Sequence, residues 1–202
     1  MDRLYSKPSA EPVIDYGRFK QQTWTGYAIT KEIPDGAIPK SVHEYVQDHI
    51  ALRPSAIATR DHGTREVADY VEFDRTGSSV AFYHCKRSGA ANAGTRQDDF
   101  EELVAQGMAC LRRVRSHQLV FRLDERLQSN KATLVQGTIN DWQQTKAAFE
   151  PAIWKFRLVL VQPGLSLAKL KTSAGAVLRP LLASATDYAQ SSDTTLDVWC
   201  SN

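Results

Sequence analysis

At 202 residues, 42% of them hydrophobic and 24% charged, the chain is long enough to bury a sizeable core as one domain, and its composition is ordinary for a soluble globular protein. With 25 Lys and Arg against 23 Asp and Glu, the formal charge of +2 is too mild to demand a nucleic-acid partner, and local clusters outweigh totals in excluding one. Cys85, Cys110 and Cys200 lie far apart without CxxC or CxxH spacing, which argues against a zinc site or a disulfide framework and fits intracellular free thiols. No apolar run approaches a membrane span and MDRLYSKPSAEP lacks a signal-peptide core, so the expected location is the cytoplasm, with no membrane contact.

Residues 1–12 are polar with two prolines and are expected to order poorly. Residues 13–33, rich in β-branched and aromatic side chains, suggest one or two strands, and PDGAIP reads as a turn; together 1–40 form an N-terminal extension to an α/β domain over 41–202. SVHEYVQDHIAL places Ser41 and Glu44 at capping-box spacing ahead of an apolar stripe of Val42, Tyr45, Val46 and Ile50, a short helix closed by Pro54. EVADYVEFD (66–74), the turn Arg75-Thr76-Gly77-Ser78 and SSVAFYHCKRS (78–88) predict a β-hairpin.

A Gly/Ala/Asn loop over 88–95 leads to a helix across 97–116, with Phe100, Leu103, Val104, Leu111 and Val114 on one face. Asp98 and Asp99 at its start and Arg112, Arg113 and Arg115 near its end suit the helix dipole. Residues 117–150 read as helical pieces, including QQTKAAFEPAIW, and KFRLVLVQPG as a buried strand. LAKLKTSAGAVLRPLLASATDYAQ reads as a helix that Pro180 interrupts or kinks, and TTLDVWCS as a last strand. Strand, helix, strand implies a parallel or mixed sheet covered by helices.

The hairpin carries the chemistry. Alternate strand residues share a face, so Asp69, Val71 and Phe73 point one way, while His84 and Lys86 share a face and Tyr83 and Cys85 take the other. If the faces match, a carboxylate, an imidazole and an ammonium meet at one edge of the sheet. A lysine in an apolar strand costs free energy unless it is paired, so Lys86 needs a reason.

An aspartate on one strand and an X-X-K triplet on the next resemble the PD-(D/E)XK, or restriction-endonuclease-like, nuclease superfamily. Asp69 matches its aspartate and Lys86 its lysine, while His84 stands where the second acidic residue would be. More specifically, EVADYVEFD…VAFYHCKRSGAANAGTRQDDFEELVAQG resembles a nuclease-like domain at the C-terminal end of large bacterial helicase-type proteins, some linked to defence against phage. FRLVLVQPGLS and LDVWCS are similar to that family's last strands, so the resemblance covers about 60–202.

The resemblance implies a central mixed β-sheet flanked by helices and a metal-dependent DNA endonuclease, working beside a helicase or translocase that delivers the substrate; it allows a homodimer. Carboxylates would hold Mg²⁺ or Mn²⁺ to activate a water, and the lysine would orient that water or take its proton. Asp69 is then the metal ligand and Lys86 the catalytic lysine, with the Cys85 backbone carbonyl a further ligand. Gln106 matches a glutamine that related nucleases place beside the lysine. His84 could bind through a ring nitrogen, though imidazole suits Mn²⁺ or Zn²⁺ better than Mg²⁺. Glu44 and Glu66 are candidate replacements for the missing carboxylate, and Arg87 and Arg96 candidate DNA contacts.

Plainer roles stand beside these. Asp69 could be a satisfied strand-end carboxylate, Lys86 a snorkelling edge lysine, His84 a structural histidine, Glu44 only a capping residue and Arg96 a loop-ordering group. Cys85 and Cys110 read as small buried hydrophobes, and the four tryptophans as core. Loss of the acidic residue at position 84 should weaken divalent-ion binding, which leaves a weakened, DNA-binding or complex-assembly module as the alternative.

Overall fold

The computed structural model describes residues 14–112 and 116–202. One mixed sheet contains β1 (Phe19–Gln21), β2 (Ala56–Arg60), β3 (Tyr70–Asp74), β4 (Ser79–Cys85), β5 (Thr133–Gln136), β6 (Lys155–Ser166) and β7 (Thr194–Ser201), in the spatial order β1-β7-β6-β4-β3-β2-β5. On one side of β4 the strands β6, β7 and β1 pair in parallel; on the other, β3, β2 and β5 pair antiparallel. Helices α1 (Val42–Ala51), α2 (Gln97–Leu111), α3 (Gln118–Gln128), α4 (Ile139–Ala148), α5 (Leu167–Leu170) and α6 (Leu178–Ser191) flank it. Among the described residues no helix is long and apolar enough to cross a membrane.

Local chemistry explains several elements. Ser41 and Glu44 form the anticipated capping box of α1, and Thr138 and Asp141 form a second one on α4. The hairpin pairs Tyr70 with Tyr83 and Val71 with Phe82, and the Asp74 carboxylate accepts the Thr76 amide at its turn. In that register Val71, Phe73, Val80 and Phe82 join the core beneath α2, α3, α4 and α6, with Phe100, Leu103, Leu123 and Trp142. Tyr70, Ala81, Tyr83 and Cys85 face the other way, against Val42, Tyr45, Val46 and Ile50 of α1. Each large side chain so withdrawn from water contributes about 1.5–3 kcal/mol, and three layers result. Trp142, Trp154 and Trp199 are core as expected.

Helix α2 lies close against β6 because position 107 has no side chain. A Cβ at Gly107 would fall 2.9 Å from Leu160 Cδ2 and 3.0 Å from Leu158 Cδ2. The approach fixes how the neighbouring Gln106 overlooks the end of β4.

Elsewhere the chain departs from the expectation. Strands β2 and β5 were not foreseen: AIATR and TLVQ are short and weakly patterned, and they form because β2 pairs on both sides, with β3 and β5. Residues 14–33 yield only β1, preceded by a 3-10 turn, Tyr16–Arg18; β1 adds to the same sheet as the rest, parallel to β7. Helix α2 stops at Leu111 with Arg112 as its C-cap. Residues 1–13 lie outside the described residues, as do Arg113, Val114 and Arg115 of the expected helix end and basic cluster. The helix expected over 167–190 is broken into α5, a 3-10 turn and α6. Pro180 kinks nothing: it is the third residue of α6, in the first turn, where an amide has no intrahelical acceptor to lose.

Candidate functional site

The site forms where β2 and β4 end and β3 begins, on the sheet edge that also receives the carboxyl end of β6. Asp69 immediately precedes β3, and His84 and Cys85 close β4. His62 and Glu66 come from the loop after β2, and His43 from the first turn of α1 on the opposite face to α2. That loop turns through Arg65, whose backbone is left-handed (φ 62°). It is tethered by Asp61, a fully buried carboxylate that accepts the Val67 amide at 2.8 Å and pairs with Arg126 of α3.

Asp69 is the centre of the cluster and is 3% exposed. Its Oδ1 lies 2.7 Å from His62 Nδ1 and 3.6 Å from His43 Nε2; its Oδ2 accepts the Cys85 amide at 2.8 Å. Glu66 Oε2 stands 3.9 Å from His62 Nδ1 and accepts the Gly63 amide. The His43 and His84 rings are buried, and all four of their nitrogens lack a hydrogen-bond partner. Such orphaned groups are uncommon in a folded interior and call for an explanation at each site.

Burial would raise the Asp69 carboxyl, but the hydrogen bond from His62, the His43 and His84 rings and the Cys85 amide outweigh it, and its pKa is lowered. Burial pushes His43 and His84 down to about 4, the attraction of Asp69 only partly opposing it, so both rings are neutral at pH 7. His62, hydrogen-bonded to Asp69 and more exposed, moves the other way. Desolvation raises Glu66.

The cluster opens to solvent through a cavity of about 520 Å³. His84 and Glu66 line it from the sheet edge, Gln106 from α2, and Arg65, Arg112 and Arg122 give it a cationic rim. Arg65, Gln118 and Arg122 also line a second depression of about 570 Å³ that runs along α3 past Phe121 to Lys131. The two depressions share those three residues, and the second adds Arg126 and Lys131 beside Glu125.

The structure brings His84, Glu66 and Gln106 to the lining of one cavity, while Asp69 is buried beside His62, His43 and the Cys85 amide. Lys86 is engaged elsewhere. Its ammonium bonds Glu102 Oε1 of α2 at 2.7 Å and stands 3.8 Å from Glu32 Oε2, and it makes no ion pair with Asp69. Desolvation opposes the Lys86 charge, yet those carboxylates prevail and its pKa is raised. Glu44 is used by the cap of α1: its Oε2 accepts the Ser41 amide at 2.7 Å and the Ser41 hydroxyl at 2.8 Å. Arg96 ties the 88–96 loop to α2 through Ser88, Asn92 and Asp99. Arg87 is exposed, and its amide donates to Glu32 Oε2 at 3.3 Å. The Cys85 thiol, raised far above its ordinary pKa by burial, joins His43 and Asp69 in one group of candidate ligand atoms.

His43 and His62 are the residues the sequence reading missed. The signals were present: His43 falls at i, i+3, i+7 with Val46 and Ile50 on the apolar side of α1, and Asp61, His62, Glu66 and Asp69 crowd into nine positions. Comparisons of the chain with protein-family models, with curated proteins and with solved structures return no match.

Proposed function

We propose that this chain is a restriction-endonuclease-like, metal-dependent phosphodiesterase domain that cleaves DNA. The observation that carries the reading is the grouping of Asp69, just before β3, with His62 and the end of β4, behind a cavity that His84 and Glu66 line and arginines rim. The mixed sheet, in which β3 and β5 run against β2, β4, β6 and β7, and the helices on both faces support the architecture.

A divalent ion suits the donors present. Asp69 supplies a carboxylate held in its charged form, Glu66 is a second carboxyl group, and the His43 and His84 imidazoles are neutral. When bound, such an ion polarises a phosphate oxygen and lowers the pKa of a coordinated water. The chain's own residues do the remaining work. Arg65, Arg112 and Arg122 neutralise the phosphates and fix their register. Gln106 orients the group entering the cavity. A neutral His84, with both nitrogens free of hydrogen bonds, offers one donor and one acceptor at the cavity wall. A helicase or translocase partner would bring strands to this edge.

One observation favours a second reading, binding without cleavage: the lysine of the triplet is neutralised by Glu102 and Glu32 instead of facing Asp69. Supercoiled plasmid with Mg²⁺ or Mn²⁺ separates the two. The proposal expects nicking by the wild type, abolished by Asp69→Asn and strongly reduced by His84→Ala. Absence of nicking with every metal sinks it. A gel shift whose affinity falls with salt, and whose salt slope drops by about one for Arg122→Ala, would then establish the binding reading.

A further inference from the structure

The unexplained feature of the site is His43. Its ring is fully buried, neither nitrogen has a hydrogen-bond partner, and Nε2 is aimed at Asp69 Oδ1 from 3.6 Å, too far for a hydrogen bond. His62 approaches the same oxygen from the solvent side, with Glu66 Oε2 3.9 Å from its Nδ1. Donor atoms around a tetrahedral ion with bonds of 2.0–2.2 Å stand roughly 3.3–3.6 Å apart. The His43–Asp69 separation is such an edge, and the His62–Glu66 separation only slightly exceeds it. The ligand atoms of His62, Glu66 and Asp69 all lie within 4.8 Å of one another, as do those of His43, Asp69 and Cys85, and Asp69 belongs to both groups.

We infer that Asp69, which the two groups share, gathers His43 and, by rotation of the more exposed His62 and Glu66 side chains, those two ligands around one borderline-soft divalent ion of the Zn²⁺ or Co²⁺ class, in preference to Mg²⁺. Two imidazoles and two carboxylates match the ligand taste of zinc, cobalt or iron, whereas magnesium asks for oxygen in an octahedron. The absence of paired cysteines says nothing against it, because no thiolate is required. An ion would also take the place of the His62–Asp69 hydrogen bond and give the orphaned His43 nitrogen a partner. The His43 ring is already held in place, edge-on to His62 at 4.8 Å and against Tyr70 at 5.6 Å. An entry path exists: the His62 side chain is 35% exposed and Glu66 lines the open cavity.

This deepens the phosphodiesterase reading by naming the donors and the ion. Tag-free, chelator-treated protein titrated with Co²⁺ should develop the intense visible bands of a four-coordinate ion, one per chain, displaced by Zn²⁺ and unaffected by excess Mg²⁺. His43→Gln and His62→Gln should each weaken binding at least about tenfold, since disturbing even a residue that merely orients a metal ligand costs that much. His62 is near the surface, so its variant keeps the test decisive if the His43 variant fails to fold. Wild-type protein that binds neither ion, or His62→Gln that binds both unchanged, overturns the inference. Mg²⁺-dependent nicking in the absence of Co²⁺ and Zn²⁺ binding would overturn it while leaving the nuclease reading intact. Tight binding lost in both variants, without nicking under any metal, would uphold the site and sink the nuclease.

Discussion

Acid should destabilise this fold well before its carboxylates titrate, because two histidines are buried uncharged. His43 and His84 drop from 6.5 to about 4 on folding. The unfolded chain therefore takes up two protons below about pH 6.5 that the folded chain refuses, and stability is lost as pH falls from 6.5 towards 4. Each unit of pKa is worth about 1.4 kcal/mol, so at about pH 5 each ring costs about 2 kcal/mol, some 4 kcal/mol together.

The neighbours do not cancel this. His62, raised, contributes stability that is fully present below its unfolded pKa and fades only as pH rises; Asp69, lowered, fails only below the usual aspartate range. Glu66 and Asp61, raised chiefly by burial, take up protons in the folded state and return part of the loss at the acid end. For a domain of this size the net effect is a Tm on the order of 10 °C lower at about pH 5 than at about pH 7. Thermal unfolding in chelator-treated buffer measures it, and imidazole NMR signals assign it. An unchanged Tm, or His43 and His84 resonances titrating at the ordinary value, would refute the argument.

Two stability predictions accompany it. Asp61→Ala leaves Arg126 buried and unpaired, so urea denaturation should show a loss of about 3–5 kcal/mol, and the double variant Asp61→Ala/Arg126→Leu should recover most of it. Recovery failing would mean the loop depends on the Val67 amide bond instead. Gly107→Ala should cost about 1–3 kcal/mol by forcing α2 off Leu158 and Leu160, although alanine is the better helix former by about 1 kcal/mol. A stabilised variant would show that the two leucines yield freely.

What could be read from the chain was what local rules write into it. The start of α1 rests on Ser41 and Glu44, three residues apart, and the hairpin on alternation either side of a turn; both formed as expected. Strand β2 was hidden because AIATR has neither length nor alternation, and only pairing on two sides makes it a strand. The same division runs through the site. Asp69 and His84 each lie one residue beyond the Tyr70–Tyr83 pair that closes the hairpin ladder, a local property. His43 and His62 arrive from a helix and a loop that only the tertiary fold brings to Asp69. Lys86 has the parity of His84, but parity says which face a side chain leaves from and not which carboxylate it finds; Glu102 on α2 and Glu32 before α1 were the nearer partners.

The sheet's two margins bear on how copies of the chain could meet. β1 has three residues and β5 four, so each border offers a second molecule only a few free amides and carbonyls, and Lys20 and Gln21 stand exposed on β1. Borders this short, one of them charged, are poor templates for adding a strand. Fibril-like stacking and dimers built by continuing the sheet are disfavoured, which leaves the helical surfaces and the arginine-rimmed edge as the places where any symmetric assembly would join.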